Sequence, residues 1–162
     1  MLCAARLITA ADAEGREYTT VEIRPHSPDL DPAAWTAVEA ESPLDVVYEG
    51  GVIRVLTPEE KLAGYKASRI GLLKLAGKEV VYTHAPEYKQ ANAALGVYDQ
   101  ATADLIRAWI QAVRTVVNER EAAISGAPDR AAVDAVDVSY DSVYAAAWAL
   151  LTPEQQSGLL NL

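Results

Sequence analysis

EYKQANAALGVYDQATADLIRAWIQAVRTVVNEREAAI, from Glu87 to Ile124, is the stretch from which the fold can be read. Ile106, Trp109, Val113, Val116, Arg120 and Ala123 recur there at alternating spacings of three and four, while Leu105, Ile110, Val117 and Ile124 widen the stripe. That period lays one apolar face along an α-helix. Upstream, Gly96 stops a shorter helical segment, EYKQANAAL; Val97-Tyr98-Asp99 makes the bend, with Asp99 as N-cap of the long helix. So short a connection predicts that the helices before and after Gly96 lie antiparallel, as a helical hairpin. The stripe also resembles a heptad seam, but it lasts only about three repeats and Arg120 interrupts it, which favours the hairpin over a long coiled coil.

Moving toward the N-terminus, Thr57-Pro58-Glu59-Glu60 is a helix start: Thr57 can cap, Pro58 sits in the first turn without losing a needed bond, and Glu60 can reach back. The helix is expected to run to about Ala76, with Leu62, Tyr65, Arg69, Leu72 and Leu73 roughly on one side and Gly77 as its stop. Gly64 and Gly71 weaken it by roughly 1 kcal/mol each relative to Ala, which predicts close contact with another backbone there. Glu79 to Thr83 reads equally as a short strand or as more helix.

Before Thr57 the chain reads as β. Arg6 to Thr9 can form a short strand, the turn at Ala13-Glu14-Gly15-Arg16 leads into EYTTVEIR, and Thr19, Val21 and Ile23 alternate there against Tyr18, Thr20 and Glu22. Three prolines make Pro25 to Trp35 an extended loop anchored by Trp35. LDVVYEGGVIRVL, Leu44 to Leu56, places two β-branched runs around Gly50-Gly51, the pattern of a hairpin. A sheet this small needs one face covered to be stable. On the other side of the central stretch, DRAAVDAV is expected as a short helix with Ala131, Ala132, Val133 and Val136 on its apolar side. Asp137 to Tyr140 is expected as a return strand, Asp141 as the cap of SVYAAAWALL, and Thr152-Pro153-Glu154-Gln155 as a last capped turn.

The fold class expected is therefore α+β: a small N-terminal antiparallel β lobe over 1–56, a helical hairpin over 57–126, and short C-terminal helices with a possible return strand over 127–162. With 162 residues and half of them apolar, the chain can bury a core, but Ala-rich helices give it little area per residue, and such cores are often completed by a partner subunit. The formal net charge of -9 disfavours nucleic acid as a partner. No window is long and apolar enough to predict a membrane span, and the N-terminus lacks the basic leader and long apolar run of a secretory signal. Cys3, the single cysteine, excludes an intrachain disulfide and a cysteine-rich metal site; it points to reduced, cytoplasmic folding on a terminus expected to fray.

Chemistry-bearing constellations were sought and none was found in the sequence. His26 and His84 stand apart, without carboxylates at metal-ligand spacing, and His84-Ala85-Pro86 reads as a linker. Asp29-Leu30-Asp31 lacks the Gly and terminal Glu of a calcium loop, Glu119 and Glu121 flank Arg120 as a solvated helix face, and Gly50-Gly51 has neither phosphate-loop nor dinucleotide spacing. Tyr82, Tyr88, Tyr98 and Trp109 read as core and interface anchors. The expectation is no enzyme, no metal and no cofactor.

The order Pro86-Glu87-Tyr88-Lys89-Gln90, Asn92-Ala93-Ala94-Leu95-Gly96-Val97-Tyr98, then a helix with Trp109-Ile110 and Val113-Arg114, resembles a segment of small tail proteins of tailed bacteriophages and prophages. Ala131 to Val138 resembles a short element that follows it there, and the resemblance spans Leu56 to Tyr140. The sequence departs where Ala85 replaces a tryptophan often found before the proline, and the first lobe and terminal helices have no counterpart. The resemblance implies a virion structural protein of a tail fibre or baseplate, made in the host cytoplasm, present in multiple copies or as a homo-oligomer, and partnered by other tail proteins. A tail-fibre assembly chaperone is the alternative, and a small-molecule-binding domain a further one. Tyr88, Gln90, Asn92, Leu95, Gly96, Tyr98, Ile106, Trp109, Ile110, Val113 and Val117 are the candidate packing and assembly residues.

Overall fold

The computed structural model describes residues 2–11, 16–25, 27–30, 33–40, 42–49 and 52–162. The expected turns at Ala13 to Gly15 and at Gly50-Gly51, together with His26 and Asp31, lie outside the described residues. The fold is α+β, and the chain divides into two compact units, Met1–Lys61 and Leu62–Leu162. The expected segment 127–162 and nearly all of 57–126 fall in the second unit.

In the first unit β1 (Leu2–Ala11) pairs antiparallel with β2 (Glu17–Pro25) on one side and β3 (Thr36–Glu39) on the other, giving the order β2-β1-β3. The register runs from Cys3 opposite Pro25 to Ala11 opposite Glu17. β4 (Val46–Glu49) and β5 (Val52–Val55) form the expected two-stranded ladder, with Val46 opposite Val55. Val21 and Ile23 of β2 pack with Ala5, Ala40 and Val46, as the alternation in EYTTVEIR predicts. Two expectations need correction. β1 is ten residues rather than four, so Cys3 is fully buried mid-sheet instead of fraying, and β3 follows the proline loop where only an anchoring Trp35 was expected. Trp35 does have partners, the guanidinium carbons of Arg6 at 4.6 Å and Arg24 at 5.4 Å.

Helix α1 (Pro58–His84) starts as its sequence predicts: Glu60 N–H donates to Thr57 Oγ1 at 3.3 Å, and Thr57 N–H to Glu60 Oε2 at 2.8 Å. Arg54 and these Thr57 bonds hold the Glu60 carboxyl down at about 2. The helix does not stop at Gly77. It continues through EVVYTH for 27 residues, about 40 Å at 1.5 Å per residue. Its buried residues are Leu73, Ala76, Gly77 and Val80, whereas Leu72, expected on the packed side, is half exposed. The close approach is likewise elsewhere than expected: a Cβ on Gly64 or Gly71 would meet nothing within 4 Å, but one on Gly77 would lie 2.6 Å from Val117 Cγ2. Gly64→Ala and Gly71→Ala are therefore expected to raise stability by about 0.5–1 kcal/mol each in urea denaturation, through helix propensity alone. A decrease would show that these positions lie against something.

After α2 (Glu87–Ala94), α3 (Gln100–Gly126) is also 27 residues long, capped by Asp99, whose carboxylate accepts from Thr102 N–H at 2.7 Å. Contacts fall in opposite order along α1 and α3: Lys66 with Ser125, Lys74 with Glu121, Gly77 with Val117, and Val81 with Trp109. The antiparallel partner along the length of α3 is thus α1, and the eight-residue α2 is a corner between them rather than the second arm. Ala103, Ile106, Trp109, Ala112, Val113, Val116 and Ile124 are buried at the expected spacing, while Ala123 is exposed.

The C-terminal part adds α4 (Arg130–Asp134), α5 (Tyr140–Ala149) and α6 (Pro153–Leu160). No return strand forms at 137–140. Val138 is buried in the helical core, and Ser139, not Asp141, caps α5 by accepting from Ser142 N–H. Ala131 is exposed, leaving Val133 as the buried residue of α4. The capping box at Thr152 and Gln155 is formed as predicted. Arg120 does not merely break the stripe: its guanidinium donates to Asp137 O at 2.7 Å and to Ser142 O and Oγ at 3.0 Å, tying α3 to the start of α5.

Candidate functional site

Two features of the second unit stand out, a corner and a ring cluster. At the corner, α2 ends in a Schellman motif: Gly96 has φ +72°, and Val97 N–H reaches back to Asn92 O at 2.9 Å. Gln90 Nε2 donates to Ala85 O at 2.6 Å, tying the corner to the end of α1, and Asn92 Nδ2 approaches Tyr98 Oη at 3.5 Å. These are the cross-corner bonds that a Gln and an Asn placed one turn before a Leu-Gly stop can make.

The eleven candidate residues separate into different roles. Ile106, Trp109 and Val113 are buried, and Ile110, Val117 and Tyr98 are half-buried against the same core. Gln90, Asn92 and Gly96 shape the corner. Tyr88 and Leu95 point outward, 62% and 78% exposed, and share one face of α2 with exposed Ala91; Val97, just past Gly96, is 65% exposed. A held backbone thus carries an apolar crest that the core does not use.

The ring cluster was not anticipated. Trp109 Nε1 donates to Val81 O at 3.1 Å, and its ring lies 5.1 Å from His84, 5.5 Å from Tyr144 and 6.2 Å from Trp148. Along α5, Tyr140, Tyr144 and Trp148 stack at 6.0 and 5.7 Å. Thr83 Oγ1 and Tyr140 Oη are 2.7 Å apart, and His84 Nε2 is 3.0 Å from Tyr144 Oη. Burial pushes the Tyr144 hydroxyl up, helped by Tyr140. His84 is therefore a packed residue at the end of α1, not part of a linker. The i, i+4, i+8 spacing of Tyr140, Tyr144 and Trp148 was the available signal for one arm of this cluster. Its link to His84 had none.

Among the described residues, no group of three or more His, Cys, Asp or Glu side chains is placed to hold a metal ion. A shallow depression bordered by Asp104, Leu105, Glu154 and Gln155 brings two carboxylates to one rim, with no nucleophile or base between them. Among the described residues, no helix is long and apolar enough to cross a membrane. No protein-family model, curated protein or solved structure matches the chain.

Proposed function

We propose that this chain is a structural component of the tail of a tailed bacteriophage or prophage, at the tail fibre or baseplate, acting through protein-protein assembly rather than catalysis. The observation that carries the reading is the corner. The same residues that resemble phage tail proteins, Glu87 to Tyr98, hold a rigid turn whose Tyr88, Leu95 and Val97 are spent on solvent instead of on the core. Exposed apolar side chains on a fixed backbone suit a contact that ordering costs do not weaken. Multiple copies about a tail axis would bury this crest against a neighbouring tail protein or another copy.

The test is a surface variant in the phage or induced prophage that encodes the chain. Leu95→Asp is expected to leave thermal stability within about 0.5 kcal/mol of the parent, because the side chain is 78% exposed. It is also expected to cut the amount of protein in purified particles at least several-fold, measured by mass spectrometry. Normal incorporation of the variant would remove the crest as the assembly surface. Absence of the parent protein from intact, fibre-bearing particles would point to an assembly chaperone instead.

A further inference from the structure

His84 is where four helices of the second unit meet. It closes α1; its ring stands 5.1 Å from Trp109 of α3 at 89°, and 5.5 Å from Trp148 and 6.0 Å from Tyr144 of α5. Nε2 lies 3.0 Å from Tyr144 Oη, and the backbone of Leu159, on α6, hydrogen-bonds the ring. A carbonyl can only accept, so the ring donates to Leu159 and Nε2 takes the Tyr144 hydroxyl proton, an arrangement that the neutral imidazole satisfies.

We propose that His84 is an acid-sensitive latch that ties α5 and α6 to the α1–α3 pair while neutral and releases them when protonated. A second ring proton turns Nε2 from acceptor into donor, and the Tyr144 hydroxyl loses the partner that took its proton. The groups facing the ring offer a cation little. α2 brings Lys89, which repels it; α3 brings uncharged Trp109; α5 brings the Tyr140 and Tyr144 hydroxyls; α6 brings only the Leu159 carbonyl. Among the described residues, no carboxylate pairs with the ring. Burial, then Lys89, hold His84 below its ordinary 6.5, against the Leu159 carbonyl. The C-terminal end of α1 and the aromatic faces also favour a cation, by about 0.5 kcal/mol each where solvent screens them. Losing the acceptor role at Nε2 adds to burial against them.

The sign follows from linkage. A histidine that the fold prefers neutral contributes stability that is complete above 6.5 and is lost as pH falls through its folded value. The carboxylates of the second unit lose theirs in a lower window, below about 4.5. The only other histidine is His26, so His26→Gln leaves a single histidine resonance to follow by NMR. That resonance is expected to titrate below 6.5. Hydrogen exchange, corrected for its intrinsic pH dependence, is expected to show α5 and α6 losing up to about tenfold more protection than α3 between pH 7.5 and 5.5. His84→Gln should abolish that difference and His26→Gln should keep it. A His84 resonance titrating at or above 6.5, or wild-type α5 and α6 protection that tracks α3 at both pH values, overturns the latch. If His84→Gln does not fold, the His26→Gln titration and the wild-type exchange still decide.

Discussion

Trp109→Asp is expected to leave the second unit without cooperative unfolding at neutral pH, read as loss of near-ultraviolet ellipticity and of a thermal transition. Removing a fully buried tryptophan costs about 3–5 kcal/mol in lost transfer energy and cavity. An unpaired carboxylate in the space it leaves adds a desolvation cost of several kcal/mol more. Domains of this size hold only about 5–15 kcal/mol in all. The site is unusually sensitive because the Trp109 ring touches His84, Tyr144 and Trp148 together, so its loss loosens α1 and α5 from α3 at once. Trp109→Phe separates the contributions. It keeps most of the ring volume and gives up the bond to Val81 O, but that carbonyl still accepts from Ala85 N–H at 2.9 Å. A loss of about 1–2 kcal/mol is expected for it. A folded, cooperatively melting Trp109→Asp would show that α3 is not the spine of this unit.

Gly77→Ala is expected to destabilise despite alanine's better helix propensity. The new Cβ would stand 2.6 Å from Val117 Cγ2, on a β-branched side chain with little rotamer freedom inside a helix. Overpacking of this kind costs about 1–3 kcal/mol, and the propensity gain of about 1 kcal/mol offsets part of it. The decisive measurement is a double-mutant cycle. Val117→Ala opens the space that Gly77→Ala fills, so the pair should be more stable than the sum of the single losses by at least about 1 kcal/mol. Strict additivity would mean that α1 and α3 do not approach at Gly77.

What the sequence disclosed depended on how local the cause was. The face of α3 was legible because its period is written into consecutive residues, and the caps at Thr57, Asp99 and Thr152 because each is settled within three or four positions. Gly77 misled because a glycine before the β-branched Val80-Val81 reads as a stop. Its actual role, letting Val117 in, is set by a residue forty positions away. β1 was read too short because LCAARLITAA is poor in strand formers and is held as a strand by pairing on both edges. The corner could be read from Gln90, Asn92 and Gly96, whose partners are near neighbours. The junction could not: Tyr144 lies 60 residues from His84, and nothing in HAPEYKQ announces an aromatic partner.

The three tryptophans give the molecule a natural optical label for each half. Trp35, in the first unit, lies between two guanidinium groups, which leave its indole in a polar setting. Trp109 and Trp148 sit together in the second unit, their ring centroids 6.2 Å apart and their planes crossed at 73°. Two indoles so close and so steeply inclined couple their transition dipoles, whereas Trp35 has no such neighbour in its unit. Tryptophan emission and near-ultraviolet dichroism should therefore follow the two halves on separate channels, and a Trp35→Phe protein would report the helical half alone, without any attached dye.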